Sequence, residues 1–194
     1  MNTPAHVIAN VALLTGGGRH DLARPVFWGA LLPDLPMFVF YGWVRFAADL
    51  PDRVIWSQTY FEPHWQDFFD LFNSIPLTLI ALAACAAARR TGGAAFCASM
   101  LLHDLMDLPL HREDAHRHFF PLSDFRFVSP VSYWDPSHFG AWAAFAEAAL
   151  VTVCAAILWR RFPTVGPRVA CAGLAALELT AWVAFYGLGW LAGP

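Results

Sequence analysis

Long apolar runs, parted by short charged joints, set the pattern of this chain. Phe139 to Trp159 is apolar except for Glu147 and closes on Arg160-Arg161, while Val169 to Leu191 is apolar except for Glu178. Leu71 to Ala88 forms a third run ending at Arg89-Arg90, and Gly93 to Leu110 forms a fourth. A helix needs about 20 mostly apolar residues to cross a bilayer, and fewer when flanking residues snorkel. A fifth run, Pro25 to Val44, is interrupted by Pro33, Asp34 and Pro36. That predicts a broken helix, whose freed backbone groups must face protein or a cavity. Pro4 to Leu14 reads as an apolar helix too short to span alone.

Asp52 to Phe72 differs, because it mixes Trp56, Tyr60, Phe61, Trp65, Phe68 and Phe69 with acidic residues. Such a mixture suits a helix lying in the membrane interface. Residues 111 to 138 form the longest polar connection and are crowded with His, Asp, Arg and Pro. The expected fold is therefore all-α: a multi-pass transmembrane bundle of about five spans, one of them broken. An interfacial helix and a His-rich polar loop complete a single integral membrane domain over residues 1–194.

Composition supports lipid as the solvent. Hydrophobic residues make up 58% and charged residues 14% of the 194 positions, and mean hydropathy is +0.46. Soluble domains carry nearly twice that charge. The nine Trp and seventeen Phe fit the aromatic belts of membrane interfaces. A net charge of −3 argues against a nucleic-acid binder, which normally needs a basic stripe. Cys85, Cys97, Cys154 and Cys171 each lie in an apolar run without a C-x-x-C pair, so they read as packed thiols. The N-terminus lacks a basic region before its apolar stretch, so insertion is expected to be directed by later segments. Arg19, Arg24, Arg89-Arg90 and Arg160-Arg161 fall at loops that share one side in an up-and-down arrangement, the cytoplasmic side by the positive-inside rule. The 111–138 loop then faces outward, although its own Arg112, Arg117 and Arg126 weigh against that orientation.

Chemistry concentrates in LLHDLMDLPLHREDAHRHFFPLSDFRF. His103 and Asp107 are four apart, so on a helix they share a face and can bind one ion. His111 follows one turn later, beyond Pro109. His116 and His118 form H-x-H, which in extended backbone points both rings to one side. Histidine with aspartate favours zinc or a similar divalent transition metal over calcium. Buried in an apolar helix, such a pair is costly unless a cation neutralises it. Asp34, within GALLPDLP, is either a second site carboxylate or the N-cap after the Pro33 break. His6 on the short first helix adds a further imidazole.

A His near the N-terminus, then L-L-P-D, then H-x-x-x-D before a Pro-containing loop resembles the bacterial membrane-bound metal-dependent hydrolases. That family looks like membrane-embedded relatives of zinc-dependent phospholipase C. The resemblance covers about the first 125 residues. It implies that His6, Asp34, His103 and Asp107 are metal ligands and that the chain sits in a bacterial inner membrane. The family usually carries H-R-G-x-T-H-S between the last two motifs, whereas this chain reads DFFDLFNSIPL there, with Asn73-Ser74 in place of His-Ser. His64, Asp67 and Asp70 lie nearby as substitutes, and the His111–His118 run compensates.

The expected activity is hydrolysis of a phosphoester or lipid-type substrate at the membrane surface, with a divalent metal, zinc first and manganese or iron next. His116 and His118 complete the expected ligand set; Asp104 or Asp114 is the expected general base, and Arg117 or Arg126 steadies the anionic substrate. Glu147 and Glu178 either approach this site or pack between helices. The alternative is a metal transporter or metal-handling protein with the same ligands and no turnover. A membrane di-iron oxygenase would need H-x-x-H-H boxes, which are absent.

Overall fold

The structure is a computed structural model that describes residues 1–187. Among these, every regular element is helical. Pro residues start several helices, where a missing N–H costs nothing. Helix α1 spans Thr3–Leu14, α2 Ala23–Leu31 and α3 Leu35–Gly42, which runs into a π turn at Trp43–Ala47. Helix α4 spans Asp52–Ser57, α5 Pro63–Phe72, α6 Ile75–Ala87 and α7 Thr91–Asp107. Helix α8 spans Gly140–Arg161 and α9 Val165–Trp182.

Three helical stretches are long and apolar enough to cross a membrane: Pro63–Ala87, Gly140–Arg161 and Val165–Tyr186. The expectation of about five spans is thus met only in part. Helix α7 stops at 17 residues, and His103, Asp104 and Asp107 dilute the apolarity of its last turns. The Pro25–Val44 run is broken as the sequence predicts, into α2 and α3 on either side of Pro33-Asp34. The stretch expected to be one interfacial helix is divided into α4, a tight turn at Thr59–Phe61 and α5. These fold back on α3, where Phe40 is met edge-on by Trp56, Tyr60, Trp65 and Phe69 at centroid distances between 4.9 and 6.2 Å. Edge-to-face aromatic pairs gain from the ring quadrupoles as well as from burial.

Helix α1 is short but central. Its Ile8 and Val11 pack with Val26 of α2 and with Val151 and Leu158 of α8 in one buried cluster. Its fully buried polar face carries His6 and Asn10, four residues apart. Asn10 Nδ2 donates to Ser99 O at 2.8 Å, and Ser99 Oγ donates to Val26 O at 2.7 Å, so α1, α7 and α2 are joined by a buried polar ladder. Gly29 sets the α2–α7 spacing, since a Cβ there would lie 2.2 Å from Phe96 O. The outer faces stay apolar, with Ile80, Trp142, Val153, Val169 and Leu177 exposed, the kind of surface that lipid covers. The four cysteines are free.

The helix ends sort by chemistry. Arg161 reaches Ala12 O at 2.6 Å, placing the α8–α9 turn beside the end of α1, and Arg19 lies near Thr91. The opposite end gathers the last turn of α7, the start of α1 and the 108–139 loop. That loop is pinned to α6 by Ile75 N–H donating to His118 O at 2.9 Å.

Candidate metal centre

At this second end, the i, i+4 spacing in α7 places His103 and Asp107 on one face, with Nε2 3.1 Å from Asp107 Oδ2. His6 of α1 comes to the same carboxylate, Nε2 to Oδ1 at 2.8 Å. The two imidazoles stack with centroids 3.6 Å apart. Ligand atoms of His6, His103 and Asp107 lie within 4.8 Å of one another, and all three residues are buried. Asp34 stands at the edge, with Oδ1 3.5 Å from His103 Nε2 and Oδ2 accepting from Thr3 Oγ1 at 2.6 Å. It stands at the N-cap of α3 but makes no side-chain cap, its carboxylate turning to Thr3 and His103 instead.

His103 Nδ1 lies 2.8 Å from Ala30 O, which fixes the tautomer, because a carbonyl only accepts. The proton donated to Ala30 is on Nδ1, and Nε2 is buried between the Asp107 and Asp34 carboxylates without an aligned hydrogen bond among the described residues. A ring held at one nitrogen by a carbonyl while the other is free is the usual arrangement of a metal-ligating histidine. The donor set therefore fits a divalent cation that accepts nitrogen and oxygen. The α-ammonium of Met1 also pairs with Asp107 Oδ1.

His111 joins this group although α7 has ended, because a turn closed by His111 N–H to Asp107 O brings the ring back. Its Nε2 is 3.4 Å from Asp107 Oδ1 and its Nδ1 3.1 Å from Asp114 Oδ2, both too poorly aligned for hydrogen bonds. Burial opposes its protonated form, but attraction to Asp107, with Asp114 helping, lifts its pKa to about 9.

His116 and His118 are placed elsewhere. His116 Nδ1 is 3.3 Å from Asp70 Oδ1, and His118 Nδ1 is 3.2 Å from Asn73 O. Neither belongs to the converging group, although the His111, His116 and His118 rings follow one another at 5.7 and 6.1 Å. Burial, with His116 nearby, holds the His118 pKa down to about 4. Arg117 does not face a substrate space, because Asp67, Asp70 and Asp124 all take its guanidinium. Arg126 is engaged with Gln66 and the Ala115 carbonyl. Asp104 is fully buried next to His103 on α7, with both oxygens unpartnered among the described residues. Asp114 instead faces His111. Of the substitutes near Asn73, Asp70 is buried in the loop anchor while His64 is exposed beside Glu62.

Several residues were not singled out by sequence reasoning. Asn10 and Ser99 carried a signal, each being four residues from a site histidine on the same helix. The Ala30 carbonyl and Thr3 carried none. Glu147 and Glu178 converge on Asn2, which donates its backbone N–H to Glu147 Oε1 at 2.6 Å and its side-chain Nδ2 to Glu178 Oε1 at 2.9 Å. A further group, Glu113, Asp135 and His138, lies partly exposed in the loop. In comparisons with family models, curated proteins and solved structures, nothing matches this chain.

Proposed function

We propose that this chain is a membrane-embedded, metal-dependent hydrolase of a phosphoester or lipid-type substrate at the membrane surface. The observation that carries this reading is the convergence of His6, His103 and Asp107, with His103 Nδ1 tied to Ala30 O. His6 and His103 through Nε2, Asp107, and Asp34 at the edge would hold the ion. Their mixture of imidazole and carboxylate suits zinc, with manganese or iron as lesser fits. When bound, a divalent cation supplies Lewis acidity, polarising a phosphoryl oxygen and making water acidic enough to attack at neutral pH.

The chain's own residues supply the rest. The Ala30 carbonyl orients His103, and Thr3 holds one oxygen of Asp34. His111, beside Asp114, presents its Nε2 on the Asp107 side of the site, where in its protonated form it would serve a leaving oxygen or an anionic phosphoryl oxygen. The site lies at the end of the bundle opposite Arg19, Arg89, Arg90 and Arg161. The positive-inside rule supports an outer-face site in a bacterial inner membrane, with Arg112, Arg117 and Arg126 of the site's own loop weighing against it.

The three histidines around Asp107 favour a second reading, in which the cluster is a metal-free polar core neutralised from within. Elemental analysis of detergent-purified protein separates the two. The hydrolase reading expects near-stoichiometric zinc, manganese or iron, lost in a His103→Ala/Asp107→Ala double variant that still inserts in membranes. Absence of metal from both proteins after reconstitution with excess ions would leave only the polar core. With metal established, phosphoester and lipid panels test turnover.

A further inference from the structure

A groove of about 220 Å³ runs between α1, α2 and α9. Val7 and Val11 of α1, Phe27 and Trp28 of α2, and Ala170 and Leu174 of α9 line it. It begins at the end of the bundle opposite the metal centre, where Phe162 and the exposed Arg24 complete the lining. From Pro167 to Leu174 the α9 wall covers about two turns, so the groove runs about 10 Å into the apolar belt.

The charge at its mouth is one-sided. Arg24 is the one charged residue of the lining among the described residues. Arg168 is held at the same wall, its Nε donating to the carbonyl of Phe162 at 2.8 Å. The three joints at this end, residues 15–24, 88–92 and 160–168, hold seven arginines against a single carboxylate, Asp21.

Shape and charge together select the occupant. A helix with its side chains is about 10–12 Å across, too wide to enter between three packed helices. A neutral apolar molecule would fill the groove but leave the guanidinium at its mouth unanswered. An acyl chain matches the apolar walls, and a phosphodiester at its head matches Arg24, because a guanidinium meets phosphate oxygens as a planar fork. Basic pockets between transmembrane helices take anionic lipids in this way.

We propose that this groove holds one acyl chain of an anionic phospholipid, with the lipid phosphate on Arg24. The lipid is structural: it fills the gap between α9 and the α1–α2 pair, far from the metal centre. The inference rests on the long helices crossing a bilayer and is independent of the hydrolase reading.

The test uses the full chain in a maltoside detergent. Phosphatidylglycerol or phosphatidylcholine with the same acyl chains is titrated in, and bound lipid is counted by native mass spectrometry. One phosphatidylglycerol adduct is expected to saturate first, with phosphatidylcholine about tenfold weaker. One cation near an anionic lipid is worth about fivefold in affinity, so Arg24→Gln should lose that much. Arg24 is exposed, so this variant keeps the fold. Arg90→Gln, at the same end but outside the lining, should lose nothing. Ala170→Phe, which fills the groove from an exposed position, should abolish the saturable adduct. Equal affinity for the two lipids, equal losses in the two arginine variants, or an adduct that survives Ala170→Phe would overturn the proposal and leave a general attraction of anionic lipid to this end. A lipid-free dimer broken by Ala170→Phe would overturn it in favour of a second copy of the chain.

Discussion

Two buried groups in this molecule use the same residue types and do different things with them. At the ends of α1 and α7, Asp107 meets His6, His103 and His111, and the Met1 ammonium is its one non-histidine cation among the described residues. In the loop packed on α5, Asp70 meets His116, Arg117 and Arg126. Asp70 Oδ1 accepts the Arg117 backbone N–H at 3.0 Å, and Oδ2 accepts from the Arg117 Nε at 2.5 Å. A guanidinium is permanently charged and matches a carboxylate in shape, so it closes the charge of Asp70. A neutral imidazole tied to a carbonyl through one nitrogen can offer the other to an ion. A guanidinium fixed on the carboxylate, rather than the number of histidines, separates the anchor at Asp70 from the imidazole group around Asp107.

The sharpest test of this contrast is Asp70→Ala. Removing one partner of a buried ion pair costs about 3–5 kcal/mol. Arg117 keeps Asp67 and Asp124, both exposed, so the lower end of that range is expected here. A detergent unfolding titration should show the loss, while elemental analysis should show metal content unchanged. If metal is lost and stability is not, the loop histidines are ligands and the contrast fails.

A smaller effect is expected from Gly29→Ala. Its new Cβ would meet Phe96 O and force α2 away from α7, carrying the Ala30 carbonyl off His103 Nδ1. Losing the outer partner of a ligating histidine typically weakens metal affinity about 10–100-fold. Chelator competition with zinc measures it, and Asp70→Ala should leave that affinity alone. An unchanged affinity in Gly29→Ala would mean that the carbonyl does not orient the ring.

Much of this was legible in the sequence because helix periodicity is local. The spacing of His103 and Asp107 declares one face, and Pro33 with Pro36 declares the break between α2 and α3. The meeting of His6 with Asp107 is a contact across 101 positions that no local spacing encodes. The H-x-H pair shows the same limit. Alternation brings the His116 and His118 rings near each other, but which carboxylate they meet depends on Asp70 of α5, 46 positions away. The carboxylates were hardest to sort. Asp104 and Asp107 differ by three positions, and packing decides that one meets three imidazoles and the other none.

The smallest effect belongs to a third acidic group, which is the control for the other two. Asp135 lies in the partly exposed cluster with Glu113 and His138. It caps the turn at Pro136–His138, accepting from Ser137 N–H at 2.9 Å and lying 2.7 Å from His138 Nδ1. Hydrogen bonds from His138 and Ser137 hold its pKa down to about 2. A carboxylate depressed in this way stabilises the fold above its ordinary value of about 3.9, and that stabilisation fades as pH falls towards 2. Carboxyl NMR should find a pKa near 2, returning towards the ordinary value in Ser137→Ala and further in His138→Ala. Asp135→Asn should leave metal content untouched, because water and the turn already satisfy this carboxylate. Metal loss there would mean that exposure does not separate capping carboxylates from ligating ones in this molecule, and burial at Asp107 would lose its place in the argument.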